Sequence, residues 1–302
     1  MPCPTLFFND SAISRSEAHK LLGMTLDSKL SFIDHVNEKI KICTQHIGIV
    51  RFLSRYLSVS TLIQIYKTFI CPHLDYGDVI YQIPHSSNPF DSTISLHPLM
   101  ERIERVQYHA ALAITGCWRG TNTDKLYEEL GLESLTDRRW SRRLVQLFKI
   151  RNNLTPEYLQ SSLPSAARNR SLRNNNETKY QDIMCNTSRY QNSFFPDAIK
   201  SWNNMGIDFC STPSLGKFKN DVYKLVRPVS KSVFGVHDPL GLPYLFQLRV
   251  GLSPLKHHKK RHDFQDTPND CCNCLDASED TAHFLLYCHL HSLPREISKT
   301  PL

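Results

Sequence analysis

Apolar residues recur at helical spacing along most of this chain. The clearest stripe predicts a helix over residues 35–57 with Asp34 as its N-cap, and its apolar positions are Val36, Ile40, Cys43, Ile47 and Val50. A second predicted helix begins after Ser58 or Ser60 and stops at Pro72. Similar patterns predict helices over 98–115, 124–130, 137–151, around 198–202, and over 214–226.

Strand patterns are confined to the first 33 residues. Residues 2–8 suggest a strand that turns at Asn9-Asp10, and residues 20–27 suggest a second strand. Two short strands form too little sheet to be stable alone. We therefore predict a mostly α fold, in which the N-terminal strands are the trailing edge of a larger sheet.

Composition suggests four regions. The boundaries are a residual sheet over 1–33, a helical domain over 34–160, a linker with a helical segment over 161–230, and a basic and metal-binding region over 231–302. The 302 residues carry a net charge of +7, which allows a nucleic-acid partner without requiring one. Since the ten cysteines are scattered and no apolar run resembles a signal peptide or a membrane span, we expect a reduced, nuclear or cytoplasmic protein that is not secreted.

Three cysteines and one histidine near the end of the chain have the spacing of a metal site. They are Cys271, Cys274, His283 and Cys288, in the pattern C-x2-C-x8-H-x4-C. Three thiolates and an imidazole can close a tetrahedral, structural Zn²⁺ site with no open position for catalysis. Cys272 is the spare, because C-x-C is cramped for the usual turn. The alternative is a set of reduced cysteines beside a surface histidine.

Two basic segments are candidate nucleic-acid contacts. On the helix over 137–151, Arg138, Arg139, Arg142 and Arg143 are i,i+4 neighbours and predict a positive face that suits phosphates. The alternative is a solvated helix that pairs with the acids at 128, 129, 133 and 137. The run 256–262 contains Lys256, Lys259, Lys260 and Arg261 just before the cysteines, as in elements that bind single strands. Its alternatives are a solvated linker or a nuclear-localisation signal.

No catalytic constellation is predicted. Tyr76-Gly77-Asp78 lacks a second carboxylate beside Asp78, which a two-metal nucleotidyl-transfer site would need. Phosphate-cradling loops and Ser/His/Asp sets are also missing from the sequence.

Several segments together resemble the C-terminal part of a non-LTR, jockey-like (LINE-type) retrotransposon reverse transcriptase. Residues 22–35 resemble its LGxxLDxxLxFxxH segment, and 74–81 resemble its P-x-x-x-Y-G thumb segment. Residues 99–116 are similar to its L-x-x-x-Q-N-x-x-L-R-x-I-x-G helix, 194–203 to F-F-x-x-A-x-x-x-W-N, and the Cys/His set to its terminal CCHC element.

This resemblance implies a thumb-like helical bundle over 35–151 that grips a primer–template backbone, and a terminal RNA- or DNA-binding element over 256–288. Because the family's F/Y-A-D-D palm motif and endonuclease lie upstream of these segments, we expect a truncated copy or partial gene model that is not catalytic alone. It would bind nucleic acid, work with a complete reverse transcriptase, and expose an apolar patch near residues 2–33. The alternatives are a zinc-stabilised protein-interaction module or a relic without function.

Overall fold

The computed structural model describes residues 6–13, 16–83, 97–165, 179–205, 212, 214–226, 238, 240–262, 264–267 and 269–292. The chain divides into two compact units. The first unit comprises Met1–Gln45, Cys71–Val106 and Leu135–Val226, and the second comprises His46–Ile70, Gln107–Ser134 and Arg227–Leu302. The four regions predicted from composition remain predictions.

Two antiparallel hairpins open the described chain. Strand β1 (Phe7–Phe8) pairs with β2 (Ser11–Ala12), and β3 (Ala18–Leu21) pairs with β4 (Met24–Asp27). The prediction of one strand over 20–27 is therefore wrong. The chain reverses at Leu22 and Gly23, whose φ values of 47° and 80° are both positive, as a two-residue hairpin turn requires.

Helices make up most of the described residues, which confirms the mostly α fold class. Their bounds are α1 Ile33–Leu53, α2 Val59–Ile65, α3 Cys71–Asp75, α4 Asp78–Tyr81, α5 Pro98–Thr115, α6 Thr123–Leu130, α7 Leu135–Arg151, α8 Glu157–Gln160, α9 Ser188–Gln191, α10 Phe194–Asn203, α11 Leu215–Val226, α12 Gly241–Val250 and α13 Lys256–Arg261. A π-helical turn, Tyr66–Ile70, joins α2 to α3. None of the described helices combines the length and the apolar character needed to cross a bilayer.

Several helix ends depart from prediction. Helix α1 ends at Leu53 and not at residue 57, and α7 begins at Leu135 and not at residue 137. Helix α1 starts at Ile33, so Asp34 lies in its first turn and does not precede it. The helical path does not stop at Pro72, because this residue falls in the first turn of α3, a position where proline is tolerated. Ser58 caps α2 by accepting from Thr61 N, as predicted, and Gly131 ends α6 with a φ of 63°.

The core of the first unit lies between α7, α10 and α11. Phe148 stacks on Phe218 with ring centroids 4.4 Å apart, and Trp202 lies 5.6 Å from Phe218. All three rings are buried. Aromatic packing therefore joins helices from opposite sides of the Asn- and Ser-rich segment that the sequence suggested was a linker.

The second unit is organised around a buried polar network. The Tyr66 hydroxyl donates to Gln107 Oε1 at 2.6 Å, and Gln107 Nε2 donates to the Glu133 carbonyl at 2.8 Å. Arg249 on α12 lies 2.9 Å from the buried Glu129 carboxylate on α6. These bonds satisfy polar groups that burial would otherwise make costly.

Candidate functional site

A cluster of thiols and one imidazole lies in the second unit, near the end of the chain. Its members are Cys272, Cys274, His283 and Cys288, whose ligand atoms all lie within 4.8 Å of one another. Three of the four predicted ligands are therefore together, and the fourth position is taken by Cys272, not by Cys271.

The exchange of Cys271 for Cys272 follows from the local backbone. Cys271 pairs with Ser278 in an isolated antiparallel bridge, and Cys272 N donates to the Ala277 carbonyl at 2.9 Å. Successive residues in an extended segment point to opposite sides, so only one of the two thiols can face the cluster. Cys272 is 2% exposed, whereas the Cys271 sulfur lies 3.5 Å from the Cys272 carbonyl oxygen.

The tight C-x-C spacing is accommodated by a strained turn. Leu275 N donates to the Cys272 carbonyl at 2.9 Å, and Leu275 has a φ of 67°. A non-glycine residue seldom adopts this conformation. The turn thus brings Cys274 back beside Cys272, which the sequence pattern alone did not anticipate.

A π-helical turn, His283–Tyr287, positions the other two ligands. In an α-helix, residues five apart point about 140° away from each other. Here Cys288 N donates to the His283 carbonyl at 2.7 Å, an i+5 bond that brings both side chains to one side. Asp280 Oδ1 accepts from His283 N at 2.7 Å and fixes the start of the turn.

The spacing of the donor atoms fits Zn²⁺. The Cys272 and Cys288 sulfurs are 3.7 Å apart, and the Cys274 sulfur is 3.1 Å from His283 Nε2. Tetrahedral zinc bonds of about 2.3 Å to sulfur and 2.0 Å to nitrogen imply separations of roughly 3.8 and 3.5 Å. These four side chains are therefore close enough together to hold a metal ion.

The thiols differ in acidity. The backbone N–H of Asp276 and the neighbouring side chains lower the pKa of Cys274 to about 6. The backbone N–H of Cys274 favours the Cys272 thiolate, but desolvation and the adjacent thiols outweigh it and raise the pKa of Cys272 to about 11. A thiolate at Cys274 gives an entering cation a first ligand, and further thiols would then lose their protons to the metal.

The basic run 256–262 forms helix α13 and its C-cap, and it packs on the cysteine segment. Lys256 Nζ donates to the Cys271 carbonyl at 2.9 Å, and Lys260 Nζ donates to Asp270 Oδ1 at 3.1 Å. Asp270 Oδ2 also accepts from the Ser278 hydroxyl at 3.0 Å. The sequence suggested a linker here as one alternative; the structure shows an ordered helix held by Asp270, an anchor that the sequence analysis missed.

Predicted phosphate contacts on α13 differ in availability. Lys256 and Lys260 are tied to the cysteine segment, although the Lys260 side chain is half exposed. Arg261 is exposed and Lys259 is partly exposed. His258, in the same run, is buried and bonded to the Ser253 hydroxyl at 2.7 Å. Only the C-terminal turn of α13 therefore offers free positive charge.

The four arginines of α7 do not form the predicted solvent-facing surface. Arg139 and Arg143 are each only 2% exposed. Arg139 donates to the Gln82 side chain at 2.7 Å and to the Leu74 carbonyl at 2.8 Å. A guanidinium enclosed in this way cannot reach a phosphate, so the expectation of one dense positive face is corrected.

Buried carboxylates explain the position of the remaining α7 arginines. Arg138 and Arg142 lie 3.3 and 3.0 Å from the Asp75 carboxylate, and Arg142 also lies 3.4 Å from Asp78. Desolvation raises the pKa of Asp78, and Arg142 opposes this shift. Arg138 and Arg142 thus pair with carboxylates of the Tyr-Gly-Asp segment, and these pairs link α3 and α4 to α7 within the first unit.

Two of the segments that carried the family resemblance, residues 22–35 and 74–81, meet in the first unit. Gly23 lies against the Tyr76 ring, and the Tyr76 hydroxyl donates to the Leu22 carbonyl. His35 accepts from Thr25 N at 3.4 Å. These motif residues are structural, since each one fixes the second hairpin against the helices.

Asp27, in the same family segment, organises the entry into α1. Its carboxylate accepts from the N–H groups of Ser31 and Phe32 at 3.0 and 2.8 Å. The backbone bond from Ser31, with those from Phe32 and Lys29, lowers the pKa of Asp27 against a partial desolvation. The aspartate of the motif is thus a loop anchor.

Apolar side chains are exposed on the N-terminal hairpins, as expected. Phe7, Phe8 and Leu22 are 67%, 70% and 84% exposed. Leu6, Ile13, Leu21 and Leu30 are more than half exposed.

Two curated proteins of Drosophila melanogaster are similar to this chain. The RNA-directed DNA polymerase from mobile element jockey is 26% identical over 168 residues, which are 55% of this chain and 17% of that protein. The probable RNA-directed DNA polymerase from transposon X-element is 28% identical over 170 residues, or 53% of this chain and 17% of that protein. Over about half of its length, the chain is therefore similar to part of two RNA-directed DNA polymerases of mobile elements.

The matched stretch spans only 17% of the length of each of these relatives. No family model matches the chain. No solved structure matches it either.

Proposed function

We propose that this chain is a non-catalytic, nucleic-acid-binding part of a retrotransposon RNA-directed DNA polymerase, and that a structural Zn²⁺ ion organises its binding element. The observation that carries the proposal is the packing of α13 on the cluster of Cys272, Cys274, His283 and Cys288. A metal closed by these four side chains would fix the segment against which the basic helix rests.

Charge on the last turn of α13 would provide the binding energy. Lys259, Lys260 and Arg261 lie on consecutive positions there. For a single strand, neutralising three phosphates gives a slope of about −2 in log affinity against log salt. Binding should therefore weaken about 20-fold between roughly 50 and 200 mM salt.

The proposal that the chain does not polymerise alone has support in the first unit. Asp75 and Asp78 both contact Arg142 of α7, and Asp75 also contacts Arg138, so guanidinium groups already balance the charge that a catalytic metal would neutralise. A primer-extension assay with Mg²⁺ and a primed RNA template tests this part. Extension above background would contradict it.

The first experiment measures zinc stoichiometry and the binding of labelled single-stranded RNA at the two salt concentrations. We expect one zinc per chain and salt-sensitive binding. Cys274→Ser should lose both zinc and RNA binding, because the site then has only three donors. Replacing Lys259 and Arg261 with Gln should retain zinc and flatten the salt dependence, because Lys260, which contacts Asp270, is left in place.

Cys271→Ser is the matched control, since this sulfur lies outside the cluster. It should keep one zinc, whereas Cys272→Ser should lose it. The reverse outcome would return Cys271 to the ligand set. Zinc-free wild-type protein, or binding that does not respond to salt, would contradict the proposal.

A second candidate function is a zinc-stabilised protein-interaction module. Exposed apolar side chains around the cluster favour it, because such patches commonly mark protein interfaces. Leu275 is 81% exposed, and Leu286, Tyr287 and Leu290 are also exposed. One zinc per chain without RNA or DNA binding would favour this function over the first.

A further inference from the structure

An aromatic pair in the second unit joins segments that are far apart in sequence. The rings of Trp118 and Phe264 have centroids 6.0 Å apart and are inclined at 46°. Phe264 is 40% exposed, and Trp118 is partly exposed. Large rings that remain accessible to solvent while contacting each other can accept a third planar group.

Basic residues flank this pair. Arg119 follows Trp118 directly and is exposed. Phe264 N donates to the Lys259 carbonyl at 3.1 Å, so the Phe264 ring follows the last turn of α13, where Arg261 is exposed. Asp266 is an exposed acidic residue in the described segment after this turn. Arg119 and Arg261 thus place exposed positive charge close in sequence to both rings.

This chemistry selects a particular ligand. Unpaired bases stack on aromatic rings regardless of sequence, while cations beside the rings contact the phosphates. A duplex keeps its bases stacked inside and offers none to the pair. The surface therefore suits a flexible single strand better than a duplex or an uncharged partner.

We infer that Trp118 and Phe264 form a stacking platform for unpaired bases of single-stranded RNA or DNA, with Arg119 and Arg261 contacting the flanking phosphates. This inference rests on the proposed nucleic-acid binding and deepens it, because it places a base contact on the segments that follow α5 and α13 in the second unit.

Tryptophan fluorescence provides a direct test with the full, zinc-loaded chain and a single-stranded oligouridine. Stacking of a base on Trp118 should quench part of the emission as the strand binds. Trp118→Phe should remove this quenching but retain most of the affinity, since a stacking ring remains. Quenching of equal amplitude in Trp118→Phe would overturn the inference.

Affinity gives the second readout. Trp118→Ala and Phe264→Ala should each weaken single-strand binding about 5- to 100-fold, the range for loss of one stacked base. Binding to a blunt duplex of the same length should change by less than about twofold. Unaltered circular dichroism and zinc content would show that the variants are folded.

The pair of Phe52 and Tyr56 is a matched control. These rings are also in contact, with centroids 5.5 Å apart, and Arg51 and Arg55 beside them are exposed. They are i,i+4 neighbours at the end of α1, away in sequence from α13. Phe52→Ala with Tyr56→Ala should leave affinity and quenching unchanged, and an equal loss would contradict the assignment to Trp118 and Phe264.

The failure of this inference can be distinguished from failure of the proposed function. If wild-type protein binds the strand and Cys274→Ser does not, but both alanine variants bind normally, only the stacking platform is refuted. If the wild-type protein binds no strand at all, both the function and the platform are refuted.

Discussion

Removing the charge of Asp197 should destabilise the first unit strongly. Its carboxylate lies 3.1 Å from Arg143 Nε, and the two side chains are 9% and 3% exposed. Asp197→Asn preserves the volume but leaves the Arg143 guanidinium buried without its counter-charge. Breaking a buried pair on one side costs about 3 to 5 kcal/mol, and we expect the lower end because the Gln82 carbonyl still accepts from Arg143 Nη1 at 3.0 Å.

Urea denaturation followed by circular dichroism measures this effect. With a denaturant slope of about 3 kcal/mol/M, a loss of 3 kcal/mol lowers the midpoint by about 1 M. The double variant Arg143→Met with Asp197→Leu removes both charges and should recover most of the loss, because apolar replacement of a buried pair is often neutral.

Two results would refute this reasoning. One is a midpoint for Asp197→Asn within about 0.2 M of wild type, which is well under the expected shift. The other is an Arg143→Met variant that folds normally but binds RNA more weakly with a smaller salt dependence. That second result would mean that Arg143 contacts phosphate, as the sequence pattern first indicated.

Further predictions concern the motif residues of the first unit and the strained turn of the cluster. Gly77→Ala should lower the free energy of unfolding, measured by urea denaturation, by about 2 to 4 kcal/mol. The φ of Gly77 is 71°, and the new Cβ would lie 2.5 Å from Met24 Sδ. Adding Met24→Ala should recover only the part of the loss that is due to this steric clash. The folded-state pKa of Asp27 lies below its ordinary value, so the stability that its carboxylate gives the fold is complete above about pH 4 and is lost as pH falls through the lower folded pKa. Asp27→Asn should remove this acid-dependent loss from a profile of stability against pH. An unchanged profile would contradict this prediction. Leu275→Gly should leave zinc binding intact and raise stability by about 1 kcal/mol, measured by thermal unfolding, and a loss of zinc would show that the Leu275 side chain is needed.

Part of the candidate site could be read from residue spacing. Cys274, His283 and Cys288 were recognised because their side-chain chemistry and separation suit zinc. The choice between Cys271 and Cys272 could not be read from spacing. It depends on which of these two adjacent side chains, on opposite sides of an extended segment, points toward the other ligands. The sequence over residues 283–287 likewise does not distinguish the π turn that brings His283 and Cys288 together from a short α-helix.

The role of the α7 arginines shows a different gap. Their i,i+4 spacing correctly places them on a helix, but spacing does not tell whether that helix face meets solvent or buried acids. The partners Asp75 and Asp197 lie about 60 residues before and 50 residues after α7 in the sequence. No local pattern links them to Arg138 or Arg143.

The sequence by itself determined the helical character, the positions of most of the longer helices, three metal-ligand candidates and the resemblance to retrotransposon polymerases, because these depend on local periodicity, capping chemistry and ordered motifs. Only the tertiary structure decided which arginines are buried, which cysteine completes the cluster, and that Trp118 meets Phe264. These features depend on contacts between residues distant in sequence, and the free energy of burying a charge or a ring is set by the partners that the fold brings to it.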